Sequence, residues 1–107
     1  MADSETTERL RAEFHGQTAR IDWHKLQVHY ARGAVIEVAE GLDLVEVAVQ
    51  LQLDNTPQFE AWIEKGQVVR VDDDRARDWF EENPEVWSVV APPWVLVQLS
   101  AARVAEQ

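Results

Sequence analysis

Twice within 107 residues a glycine closes a helical stretch and opens a run of β-branched residues, at one fixed spacing. Gly33 and Gly66, Val35 and Val68, Ile36 and Val69, and Val38 and Val71 are each 33 residues apart. In the stretches before them Leu26 matches Phe59 and Tyr30 matches Ile63. Two copies cannot make a helical-repeat array, which needs about three to bury its faces. The pattern reads as a duplicated helix–glycine–strand–helix unit whose two strands lie in one sheet, although helix–glycine–strand is common enough for the match to arise by chance. The same offset aligns Glu37 with Arg70, so neighbouring strands would bring them into a cross-strand ion pair.

Local signals fill in the unit. Asp22 suits the N-cap of a helix from Trp23 to about Ala31 with an apolar stripe of Trp23, Leu26 and Tyr30, and Gly33 stands where a left-handed C′ residue belongs. Val35–Val38 then reads as a strand because β-branched residues dominate it. In the second copy Thr56-Pro57 starts a helix, with a hydroxyl cap and a proline whose missing N–H costs nothing in the first turn. Phe59, Trp62 and Ile63 supply its buried face, and Val68–Val71 is the next strand. Asp72 caps a further helix whose inner face is Ala76, Trp79 and Phe80, and Asn83-Pro84 ends it. Ahead of both units, Glu5–Phe14 forms a short helix closed at Gly16, with Leu10, Phe14 and the stem of Arg11 turned inward.

Two segments send mixed signals. Val45, Val47, Val49, Leu51 and Leu53 alternate with smaller or polar residues as in a half-buried strand. Yet Asp43 with Glu46 is a capping-box pattern, and Leu44, Val47, Ala48 and Leu51 keep helical spacing. The repeat decides for a helix over 43–53, apolar on two sides and hence either central or at an interface. At the C-terminal end Val86–Ala91 and Trp94–Leu99 read as strands. Pro92-Pro93 between them lacks the Asn or Gly of two-residue hairpins, which predicts a wider corner or a bent strand; trans is the default at Pro93, although proline admits cis.

Composition narrows the function classes. With 20 Asp+Glu, 10 Lys+Arg and a net charge of −10, the chain opposes the counterion displacement that nucleic-acid binding requires. The absence of Cys excludes a disulfide scaffold, a thiol nucleophile, a Cys-ligated zinc and an iron–sulfur cluster. The acidic start is not that of a secretory signal, and the longest apolar stretch, Val89–Val97, holds two prolines and is too short to span a membrane. The expectation is one cytoplasmic domain over 1–107, with flexible ends at 1–4 and 100–107.

Leu42-Asp43-Leu44-Val45-Glu46-Val47-Ala48, the spaced Trp62 and Gly66, and above all Pro93-Trp94-Val95-Leu96-Val97-Gln98 resemble a small bacterial family, domain of unknown function 2288. Asp22-Trp23 with Leu26, and Gly33 before the first strand, fit the same pattern, so the resemblance runs from roughly Phe14 to Leu99. It implies a bacterial cytosolic domain without an assigned activity, and no catalytic residues can be carried over from it. Related sequences usually continue Leu42–Val47 with alanine-rich, helix-favouring residues; Val49, Leu51 and Leu53 depart from that.

The residues that could carry chemistry do not converge. His24 and His29 are five apart, about 140° around a helix, and cannot share a metal as an i, i+4 pair can. Asp72-Asp73-Asp74 lacks the spacing of a calcium loop and is explained by a cap plus two carboxylates at the positive end of a helix dipole. With Glu81, Glu82 and Glu85 it makes an acidic face. Trp62, Trp79, Trp87 and Trp94 fall at core-facing positions, although five indoles are many for so small a core. No catalytic set, metal site or cofactor is expected.

The resulting expectation is an α+β fold of two helix–strand–helix units and two C-terminal strands, forming a small mixed sheet covered by helices. The leading functional reading is a non-enzymatic, acidic protein-interaction module whose partner is another protein or a second copy of the chain. Its contact surface would be the 43–53 helix (Val45, Val49, Leu53) or the Trp94 strand, with Glu81, Glu82 and Glu85 for a basic partner. The rival is an anionic-ligand domain or modest enzyme whose pocket is lined by Trp23, Tyr30 and Trp94, with His24, Lys25 or Arg32 holding the anion. A third reading is an acidic decoy for a DNA-binding protein.

Overall fold

The computed structural model describes residues 2–99; the expected flexible ends lie outside these residues, apart from the backbone of 2–4, which is helical. Five strands, β1 (Ala19–Asp22), β2 (Val35–Val38), β3 (Val68–Arg70), β4 (Glu85–Ala91) and β5 (Trp94–Leu99), form one sheet in the order β1-β4-β5-β2-β3. Neighbours are antiparallel except β2 and β5, which run parallel. The helices are α1 (Ala2–Gln17), α2 (Gln27–Ala31, entered through a 3-10 turn at Trp23–Leu26), α3 (Leu44–Gln52), α4 (Thr56–Glu64) and α5 (Asp73–Glu82). Side chains alternate across each strand. Ile36, Val38, Val89 and Leu96 therefore meet α1, α3 and α4 on one face, while Val35, Val86, Val95 and Val97 meet the 3-10 turn and α5 on the other. This is the expected α+β architecture.

The mixed signal over 43–53 resolves as a helix at the centre of one layer. Asp43 accepts from Val45 N and Glu46 N at 3.0 and 3.3 Å, and Val47, Ala48 and Val49 are fully buried. The second apolar side is covered by α1, which brings Leu10 and Phe14 against it and ties Arg11 to Glu46 at 2.5 Å. A helix buried on two sides shows an apolar pattern dense enough to imitate strand alternation.

The duplication is real in element order but not in orientation. β2 and β3 are neighbours, yet Val35 faces the α5 side and its counterpart Val68 the α4 side, and Val38 and Val71 differ in the opposite sense. The register sets Glu37 opposite Val69 and Ile36 opposite Arg70. The expected Glu37–Arg70 pair therefore does not form, because the two side chains leave the sheet on opposite faces. Glu37 accepts instead from Arg75 Nη2 and Nε at 2.7 and 3.1 Å.

Other departures have local causes. β1 carries one apolar residue, Ile21, between charges, so it has no strand signal of its own; pairing with Glu85–Ser88 makes it a strand. α1 continues through Gly16 and ends where the Thr18 hydroxyl donates to Phe14 O at 2.7 Å. The cap of α4 is Asn55, not Thr56, accepting from Gln58 N. The Asp22 side chain caps nothing; Asn83, in left-handed geometry at the end of α5, accepts from His24 N at 3.0 Å. Pro92-Pro93 is a tight two-residue connection, with Ala91 opposite Trp94, and the bond between the prolines is cis, as in turns that carry a cis proline at their third position. Phe80 and Ile63, expected inside, are exposed, and Trp87 and Trp94 are only half-buried.

Candidate functional site

The residues expected to line one pocket lie on opposite faces of the sheet. Trp23 is fully buried under α5, 4.9 Å from Trp79 in an edge-on contact and 6.0 Å from Tyr30. The Tyr30 hydroxyl donates to the Asp73 carboxylate, which pushes its pKa above the ordinary phenol value. His24 is exposed, stacks on Phe80 at 4.7 Å, and hydrogen-bonds the Phe80 carbonyl through Nε2 at 2.6 Å. Lys25 and Arg32 are exposed on the same layer. Trp94 packs on the other layer, with Phe59 and Ile36. The sheet separates it from Trp23 and Tyr30, so these three rings share no cavity.

The expected contact residues are similarly dispersed. Val49 is fully buried within its own chain, Val45 is half-buried beside α1, and Leu53 alone of the three is exposed. α3 is thus central, not an outer face. Glu81 and Glu82 are exposed on α5, while Glu85 lies 3.8 Å from Arg20. Among the described residues, no three His, Asp or Glu side chains gather as metal ligands would.

What the structure does assemble is an apolar groove of about 410 Å³ at the β3 edge of the sheet. Phe59 and Ile63 of α4 form one wall, Val68, Val69 and Arg70 of β3 the other, and Ile36 and Trp94 the end. Ile63 is 50% exposed in the groove, and Val69, whose side chain leaves β3 on the opposite face, is 43% exposed, a costly display of branched apolar surface on both sides of one edge strand. The main chain adds to it. Ala39 N donates to Gln67 O and Val71 N to Val35 O, so the alternation of an antiparallel ladder points Val69's amide and carbonyl at β2. The same alternation turns the N–H and C=O of Val68 and Arg70 outward, away from the sheet.

Arg70 closes the groove. Its guanidinium sits 5.7 Å from the centre of the Trp94 ring and donates from Nη2 to Gly33 O at 2.8 Å. Gly33 is required by its φ of +71°, and a Cβ there would stand 2.9 Å from Arg70 Nη2, the end of a flexible side chain that would have to shift.

Over residues 9–99 the sequence matches the family described as protein of unknown function DUF2288. The chain belongs to this family. A structure similar to it is the solution structure of PA1075 from Pseudomonas aeruginosa, 43% identical, with a TM-score of 0.77 over 87% of this chain and 86% of that one. No curated protein matches the sequence. In this DUF2288 member no described helix is long and apolar enough to cross a membrane.

Of the groove residues, the sequence marks only Trp94 as a candidate contact. Spacing alone turns Phe59 and Ile63 inward, and the repeat offset gives Arg70 to Glu37. The usable signal is Val68-Val69, two consecutive apolar residues in a short strand. Alternation sends them to opposite faces, Val68 to the α4 side where the groove lies and Val69 to the α5 side, so the edge strand is apolar on both.

Proposed function

We propose that this DUF2288 protein is an interaction module that accepts an extended segment of another polypeptide along the free edge of β3. The observation that carries the reading is the β3 edge, unpaired among the described residues, whose outward Val68 and Arg70 main-chain groups lie beside exposed Val69 and Ile63. Strand addition uses such a combination: main-chain bonds give affinity, and flanking apolar pockets receive alternate side chains. Sheet edges that must stay free are usually shielded by charge. Both edge arginines lie over indoles, but the opposite edge, β1, also carries the exposed carboxylate of Asp22, whereas Arg70 is the one charge of β3. The remaining exposed large apolar residues, Val28, Leu53, Phe80 and Val90, lie outside this groove.

The test is co-purification from the source cells with tagged wild type, Val69→Lys and Val28→Lys. At least one polypeptide should be retained at near-stoichiometric yield by wild type and Val28→Lys and lost from Val69→Lys. An untagged copy of the same chain behaving this way would make the occupant a second copy. Equal retention by all three proteins would overturn the reading.

A further inference from the structure

Among the described residues three arginines sit on indole rings: Arg20 on Trp87 at 5.3 Å, Arg75 on Trp79 at 4.9 Å and Arg70 on Trp94 at 5.7 Å. Two of them also meet a carboxylate, Arg20 with Glu85 and Arg75 with Glu37. Arg70 meets none among the described residues, although the chain holds twice as many acids as bases. Acids near it in sequence are engaged elsewhere: Asp72 caps α5 by accepting from Arg75 N at 2.8 Å, and Asp73 accepts from Tyr30. One bond to Gly33 O leaves most of the guanidinium's N–H donors available.

We propose that Arg70 reads a carboxylate in the segment that pairs with β3, so that the partner is an apolar strand bearing an Asp or Glu at one fixed position. This rests on the edge-pairing reading above. A residue directly across from Arg70 in an added antiparallel strand leaves the sheet on the same face, and the long Arg70 side chain meets it by turning outward from Trp94 and Gly33 O. Two residues further along the partner, the side chain opposite Val68 lies over the groove walled by Phe59 and Ile63. The partner pattern is therefore acid, any residue, then an apolar residue, in an extended segment.

The experiment titrates the 15N-labelled full chain with a capped peptide Thr-Glu-Val-Val-Thr and its counterpart Thr-Gln-Val-Val-Thr. The Glu peptide should shift the amides of Val68, Val69 and Arg70 and the Trp94 indole N–H. It should bind about tenfold tighter than the Gln peptide, as expected for a charge-assisted bond. In Arg70→Gln, whose spectrum also reports its folding, that preference should vanish. If this variant does not fold, the Glu-to-Gln comparison on wild type decides alone. Equal binding of both peptides at the edge would overturn the carboxylate role and leave the edge reading standing. No shift at β3 with either peptide at millimolar concentration would overturn both.

Discussion

Gly33 shows how one position carries both local and long-range demands. Its left-handed φ of +71° follows the end of α2, and its missing side chain lets Arg70 reach the Gly33 carbonyl. Gly66 has nearly the same φ, +74°, but nothing lies within 4 Å of where a Cβ would stand, so it isolates the backbone cost. Gly66→Ala should destabilise the fold by about 1–2 kcal/mol, the usual strain of a non-glycine residue in that region. Gly33→Ala should cost more, and the excess should disappear in an Arg70→Ala background; chemical denaturation of wild type, the three single variants and the double variant measures both. An equal cost at the two glycines would show that Arg70 does not depend on the gap at Gly33. The two glycines, Asp43 and Asp72 are legible in the sequence because their roles are settled by neighbours a few residues away. Arg70 is not, because its face depends on the register of β3 against β2.

At the scale of elements, the docking of α1 on α3 turns on Arg11 and Glu46. The hydrogen bond from Arg11 is the main influence holding the Glu46 carboxyl below its ordinary value of 4.5; burial opposes it, and the Gln50 amide reinforces it. A carboxyl lowered in the folded state adds stability that is complete above its unfolded value and is lost as pH falls through its folded one. Wild type should therefore lose stability below about pH 4.5 more steeply than Glu46→Gln, measured by denaturant unfolding at several pH values. Parallel curves would mean that the pair does not hold α1 in place. The existence of the helices is readable from caps and spacing, whereas β1 is not, since its strand character comes from pairing with β4 and from Arg20 lying over Trp87. The tight turn at Pro92-Pro93 is hidden for a related reason: the usual hairpin residues are absent, and the two prolines, joined by a cis bond, stand in their place.

For the whole molecule, the decisive feature is what the five strands and five helices of the described residues leave uncovered. The fold buries most of α3, and exposed Ile63 and Val69 come together with a free strand edge at one end of the sheet, where α4 and β3 meet. That location is not written in any local stretch of sequence, because α3's neighbours and the edge position of β3 follow from strand order alone. The most direct measurement is photo-crosslinking in the source cells from a benzophenone amino acid at position 63, with position 28, on α2, as the control. A discrete adduct to one polypeptide from position 63, absent from position 28 and abolished by Val69→Lys, is the predicted result. The same adducts from both positions, or an adduct at 63 indifferent to Val69→Lys, would contradict the β3 edge as the contact surface.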